Sequence, residues 1–129
     1  MTRTSELTGP GWVDAASAHW ETVCRVERLQ PGRGVAALLG DRQVALFRLD
    51  SRTEAGAEIV AIDNVDPISG ASVLSRGIVG DRGGEPVVAS PIYKQAFSLV
   101  TGRCMDEQGQ EVMVYQVRVV DGWVQVELP

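Results

Sequence analysis

Residues 61–104 read AIDNVDPISGASVLSRGIVGDRGGEPVVASPIYKQAFSLVTGRC. Two proline-containing loops, Val65-Asp66-Pro67-Ile68-Ser69-Gly70 and Ala89-Ser90-Pro91-Ile92-Tyr93-Lys94, stand on either side of a Gly-rich connection. The stretch closes on an apolar run, Ala96 to Val100, and a Thr101-Gly102 turn. Proline presets φ, Asp and Ser side chains hydrogen-bond nearby backbone N–H groups, and glycine supplies positive φ, so both loops carry turn chemistry. Upstream, Glu58 to Asp63 (EIVAID) is a short apolar run that predicts a buried strand leading straight into the first loop. A strand delivered to a Pro-containing loop fixes where that loop's side chains point.

Working outward, the chain has 129 residues, the size of one ordinary domain, with a formal net charge of −5. Residues 1–57 balance seven acids against seven arginines, whereas residues 58–129 hold ten acids against four arginines and Lys94, the only lysine. An acidic half repels a phosphate backbone, so the charge pattern argues against a nucleic-acid partner. The opening residues contain no apolar signal segment, and no window reaches the ~18 consecutive apolar residues of a membrane span. The expectation is a soluble cytoplasmic protein with no membrane partner. Cys24 and Cys104 are far apart and lie in no metal-ligand spacing, which favours free thiols, with a single disulfide left open.

The remaining segments are mostly strand-like. Residues 1–11 are polar and predict a loosely attached lead-in, with the ordered domain running from Trp12 to Pro129 and an inserted subdomain at about 64–104. Glu21 to Leu29 alternates as a half-buried strand, and Val35–Leu39 with Gln43–Leu49 form a hairpin across Gly40-Asp41-Arg42. Asp50 to Ala57 is a polar connection. Gly77–Val79 and Pro86–Ala89 predict a short hairpin with a flexible Gly83-Gly84 tip; without a following helix start or Lys-Ser/Thr, that Gly pair is turn chemistry and not a phosphate cradle. VMVYQVRVV and WVQVEL close the chain as a hairpin at Asp121-Gly122. The expected fold is all-β, of roughly eight to ten short strands, with no internal repeat. Trp12, Trp20 and Trp123 are expected in or at the edge of the core, and His19 as a structural residue.

The two loops in this setting resemble the cluster-binding subdomain of Rieske-type ferredoxins, and the plan of the whole chain from Trp12 to Glu127 is similar to theirs. That resemblance implies an antiparallel β-sandwich or barrel carrying the loop subdomain. In that family two Cys and two His from the loops hold the cluster. The corresponding positions here are Asp66 and Ile68 in the first loop and Ser90 and Tyr93 in the second. A chain with one histidine, outside both loops, lacks the donors for such a centre. With no metal to clamp them, the loops predict a substitute: Asp66 accepting hydrogen bonds from its own turn or from Ser90 or Tyr93, and Ile68 offering the tyrosine ring an apolar surface.

More narrowly, residues 66–104 resemble the small subunits of bacterial NADH-dependent assimilatory nitrite reductases, a Rieske-like branch in which the ligands are typically replaced. The resemblance implies a subunit with no cofactor and no catalytic residue of its own, bound to a large subunit that carries FAD, sirohaem and a [4Fe-4S] cluster. Asp66, Pro67, Ser90, Pro91, Ile92, Tyr93 and Lys94 are the candidate partner interface. Tyr93 can be read either as filler of the vacated cluster space or as an exposed docking residue, and Arg76 and Arg82 either as surface charges or as interaction residues. Two other functions stay open: a stand-alone electron-carrier ferredoxin, and a ferredoxin-like component of another oxidoreductase.

Overall fold

The computed structural model describes residues 19–49 and 58–129. The expected lead-in at 1–11, the boundary at Trp12 and the connection at 50–57 lie outside the described residues. Ten strands follow in order: β1 (His19–Arg25), β2 (Gly34–Leu39), β3 (Arg42–Leu49), β4 (Glu58–Asp63), β5 (Ile78–Arg82), β6 (Glu85–Ala89), β7 (Ala96–Ser98), β8 (Val114–Tyr115), β9 (Val117–Val120) and β10 (Trp123–Leu128). They form three sheets, ordered β1-β10-β9, β2-β3-β4-β8 and β5-β6-β7, with every named strand pair antiparallel.

The inner strands β3 and β4 of the four-stranded sheet are covered on both faces, which explains why β3 carries the unbroken apolar run Val44-Ala45-Leu46-Phe47. Because side chains alternate along a strand, Ala45, Phe47 and Leu49 enter one core with Leu74, Val88, Phe97, Leu99 and Val112. Val44 and Leu46 enter the other, with Leu29, Tyr115, Val124, Val126 and Leu128. β4 repeats the division, sending Val60 and Ile62 to the first core and Ala61 to the second. The first core joins the central sheet to the β5-β6-β7 sheet, and the second joins it to the β1-β10-β9 sheet.

Several expectations needed correction. The strand expected over Glu21–Leu29 starts at His19 and stops at Arg25, where Val26 N–H donates to Gly122 O and the chain turns through a 3₁₀ segment at Val26–Arg28. The strand expected through VMVYQVRVV divides at Gln116. β8 pairs with β4, while β9 pairs with β10, so one stretch serves two sheets. The strand expected over Ala96–Val100 ends at Ser98 because Ser98 opens a tight loop. The Gly83-Gly84 tip is a two-residue turn with both φ values positive (60° and 93°), as a tight hairpin requires. Asp121 and Gly122 adopt the same left-handed pair (52° and 82°).

Trp12 lies outside the described residues, Trp20 is at the core edge as expected, and Trp123 is more exposed than expected. Trp123 is 41% exposed on the outer face of β10 with the Arg25 guanidinium 5.1 Å from its ring centroid, and Trp20 is half-buried beneath Arg118 at 4.1 Å. Both rings form cation–π pairs at the surface. Cys24 and Cys104 are free and half-buried; burial pushes the Cys24 thiol up, partly offset by Arg28.

Candidate functional site

β4 leaves the central sheet at Asp63, and buried Asn64 fixes the departure. Its N–H donates to Gln43 O, its carbonyl accepts from Leu74 N, and its Oδ1 accepts from Ser75 N at 2.7 Å. The first loop follows at once. Asp66 N–H donates to Ala71 O (2.8 Å), Gly70 N–H donates back to Asp66 O (2.7 Å), and Asp66 Oδ1 accepts from Ile68 N (2.8 Å) and Ser69 N (3.4 Å).

The second loop repeats this pattern. Ser90 N–H donates to Gln95 O and Lys94 N–H to Ser90 O, both at 2.9 Å, and Ser90 Oγ accepts from Ile92 N at 3.3 Å. A third copy, absent from the sequence reading, follows β7. Ser98 N–H donates to Arg103 O, Gly102 N–H to Ser98 O, and Ser98 Oγ accepts from Val100 N (3.1 Å) and Thr101 N (3.0 Å). The three knuckles read DPISG, SPIYK and SLVTG, a five-residue internal pattern with an oxygen-bearing side chain first and a left-handed residue last. That five-residue spacing was the signal available for the third.

The first two knuckles are stapled together. Ser90 Oγ–H donates to Asp66 Oδ2 at 2.6 Å, and the pair is closed to solvent, with Asp66 0% and Ser90 1% exposed. Burial raises the Asp66 pKa, but the hydrogen bonds from Ser90 and from the backbone of Ile68 and Ser69 together outweigh it. The carboxyl is held below its ordinary range. Ser98 likewise donates to a carboxylate, that of Glu85 on β6.

Ile68 packs against the first core. Tyr93 is 59% exposed and Ile92 45%, with Pro67, Pro91 and Lys94 also exposed. Tyr93 therefore does not fill the vacated space, and no hydrogen bond from it to Asp66 is found among the described residues. The loop tip is instead an exposed ridge. Arg76 is exposed, while Arg82 grips Asp106 through two bonds of 2.8 and 3.1 Å. Asp106 also accepts from Ala96 N at 2.8 Å, tying residues 104–107 to the end of the second knuckle. Exposed His19 sits 3.1 Å from Glu21 at the far edge of β1.

A Rieske centre asks for two thiolates and two imidazoles. Here two of the four positions bond to each other, a third is aliphatic and the fourth is a solvent-facing phenol. These residues do not fit a cluster. Among the described residues no group of three or more His, Cys, Asp or Glu side chains is arranged to hold a metal ion, and no helix is long and apolar enough to cross a membrane.

Fold and site together define a Rieske-type domain whose two loops are joined by a carboxylate–hydroxyl hydrogen bond. The sequence profile of the Rieske-like [2Fe-2S] domain family matches residues 19–127. The small subunit of the NADH nitrite reductase of Escherichia coli K12 is 43% identical over 109 residues, covering 84% of this chain and 97% of that protein. A Mycobacterium tuberculosis crystal structure described as an NADH-dependent nitrite reductase small subunit is 52% identical with a TM-score of 0.78, covering 87% of this chain and 96% of that one. The chain belongs to the family of these nitrite reductase small subunits, within the Rieske-like domains. It also matches 110 residues of the nitrite reductase NAD(P)H large subunit of Klebsiella oxytoca at 44% identity, where it spans 11% of that much longer protein. The Sphingomonas yanoikuyae B1 ferredoxin shares the fold alone, at 23% identity and a TM-score of 0.69, over 86% of this chain and 100% of that one.

Proposed function

We propose that this chain is the non-catalytic small subunit of an NADH-dependent nitrite reductase. It binds and supports a large subunit that carries FAD, sirohaem and a [4Fe-4S] cluster and reduces nitrite to ammonium in the cytoplasm. The observation that carries this reading is the buried Asp66–Ser90 bond, in a chain of the small-subunit family. A domain with two of its four ligand positions bonded to each other, the third aliphatic and the fourth a solvent-facing phenol has no redox centre to offer, so its contribution is contact.

The partner is supported from a second side. In Klebsiella oxytoca a segment 44% identical to this chain is part of the large-subunit polypeptide itself, which keeps the two next to each other by covalent connection. The proposed contact face is the loop ridge of Pro67, Pro91, Ile92, Tyr93 and Lys94, supported from beneath by Asp66 and Ser90. Exposed aromatic and aliphatic side chains on a stapled scaffold suit protein docking, since little conformational freedom is lost on binding.

Purification of the tagged chain from its own cells, followed by an optical spectrum, tests the reading. The expected result is a colourless small chain accompanied by a large sirohaem protein. A brown small chain with stoichiometric iron and sulfide would favour the electron-carrier alternative, and a large subunit fully active after deletion of this chain would overturn the supporting role.

A further inference from the structure

The three knuckles share one backbone requirement. In each, the fifth residue returns its N–H to the carbonyl of the first, and it does so from the left-handed region: Gly70 at φ 79°, Gly102 at φ 82° and Lys94 at φ 64°. Two of the three use glycine, which has no Cβ to strain. The third uses a residue whose Cβ crowds the backbone in that conformation. The strain cannot relax while the knuckle stays closed, because Lys94 N–H is bonded to Ser90 O.

Nothing within the described residues compensates for it. Lys94 is exposed, and no described carboxylate lies within ion-pair distance of its ammonium. It is the only lysine among 129 residues and stands in the half of the chain where ten acids outnumber the four arginines and Lys94. Its neighbours Pro91, Ile92 and Tyr93 are exposed and uncharged. A side chain with a Cβ kept in the left-handed region, where glycine would close the same knuckle, is a place to look for function. A glycine would close this knuckle as it closes the other two.

Resting on the proposed pairing with a large subunit, we infer that Lys94 is the electrostatic anchor of the docking ridge. Its counterpart is an acidic side chain of the large subunit, set beside an apolar surface that receives Ile92 and Tyr93. A cation beside the uncharged tip residues Pro91, Ile92 and Tyr93, within an acidic chain, selects an acidic site by charge complementarity and sets the orientation of docking.

The test compares full-length wild type, Lys94→Gly, Lys94→Gln and Lys94→Arg, measuring the melting temperature of each and its affinity for the separately purified large subunit at low and high salt. Lys94→Gly is expected to keep or raise the melting temperature while weakening binding about tenfold or more at low salt. Lys94→Gln should lose binding similarly without the gain in stability, and Lys94→Arg should stay within about threefold of wild type. The salt dependence of binding should flatten in the Gly and Gln variants. Unchanged affinity in Lys94→Gly, or equal loss in Lys94→Arg, would overturn the anchor while leaving the pairing intact. Failure of the wild type to bind would instead overturn the pairing, and the anchor with it.

Discussion

A carboxylate closed to solvent remains ionised only where donors replace its water, and Asp66 has three: Ser90 Oγ–H and the N–H groups of Ile68 and Ser69. Removing it leaves the Ser90 hydroxyl without its acceptor in a pair closed to solvent, and frees the half-buried N–H groups of Ile68 and Ser69. Asp66→Ala is therefore expected to destabilise the fold by roughly 2–4 kcal/mol, and Ser90→Ala by less, about 1–3 kcal/mol, both read as shifts in urea midpoint. Because the folded pKa lies below that of a free Asp, the stability from this group is present above the unfolded value near about 3.9 and is lost as pH falls through the folded pKa. Wild type should accordingly lose stability under acid more steeply than Asp66→Asn, as urea titrations across that window would reveal. At this scale the pairing of Asp66 with Ser90 was legible, since an acid and a hydroxyl at two loop starts are a natural donor–acceptor pair. The outward position of Tyr93 was not, because residue type says that a ring can fill a space and nothing about whether the space remains.

At the level of the element, the repeated knuckle organises the subdomain. Each copy gathers its own backbone groups around one side-chain oxygen, so three loops need little help from long-range packing to hold their shape. Gly102 is the least replaceable member: its φ is 82°, and a Cβ there would collide with the Val112 carbonyl oxygen, whose residue donates its N–H to Gly102 O. Gly102→Ala is expected to cost about 1–3 kcal/mol. Gly70→Ala, whose Cβ would meet nothing within 4 Å, should cost less, about 1 kcal/mol, from backbone conformation alone. Thermal melts of the two variants side by side separate crowding from backbone preference. The hairpins were readable from Gly-Gly and Asp-Gly because those pairs tolerate two consecutive positive φ values. The division of VMVYQVRVV at Gln116 was hidden, since alternation continues across it and only the change of neighbouring strand, β4 for β10, marks the break.

Across the whole molecule, the central sheet is the shared wall of both cores. Phe47 is fully buried in the core joining the sheet to the loop subdomain, and Phe47→Ala is expected to remove about 3–5 kcal/mol. Backbone amides of β3 should exchange most slowly with solvent, because opening them breaks both cores together; faster exchange there than in β1 or β9, which edge the outer sheet, would contradict that layering. The sequence disclosed a buried strand through the short apolar run EIVAID, which is β4. It could not disclose which strands belong to which layer, since that depends on pairings between segments far apart in the chain.

The family-matched region spans residues 19–127, and the strands carrying its two ends are paired, with Trp20 opposite Glu127. A unit whose two ends meet at one corner can be spliced into a longer polypeptide, or released from it as a gene product of its own, while every strand keeps its place. A segment 44% identical to this chain lies within the large-subunit polypeptide of Klebsiella oxytoca, and an engineered joint at that corner is the natural place to attach this domain to another chain.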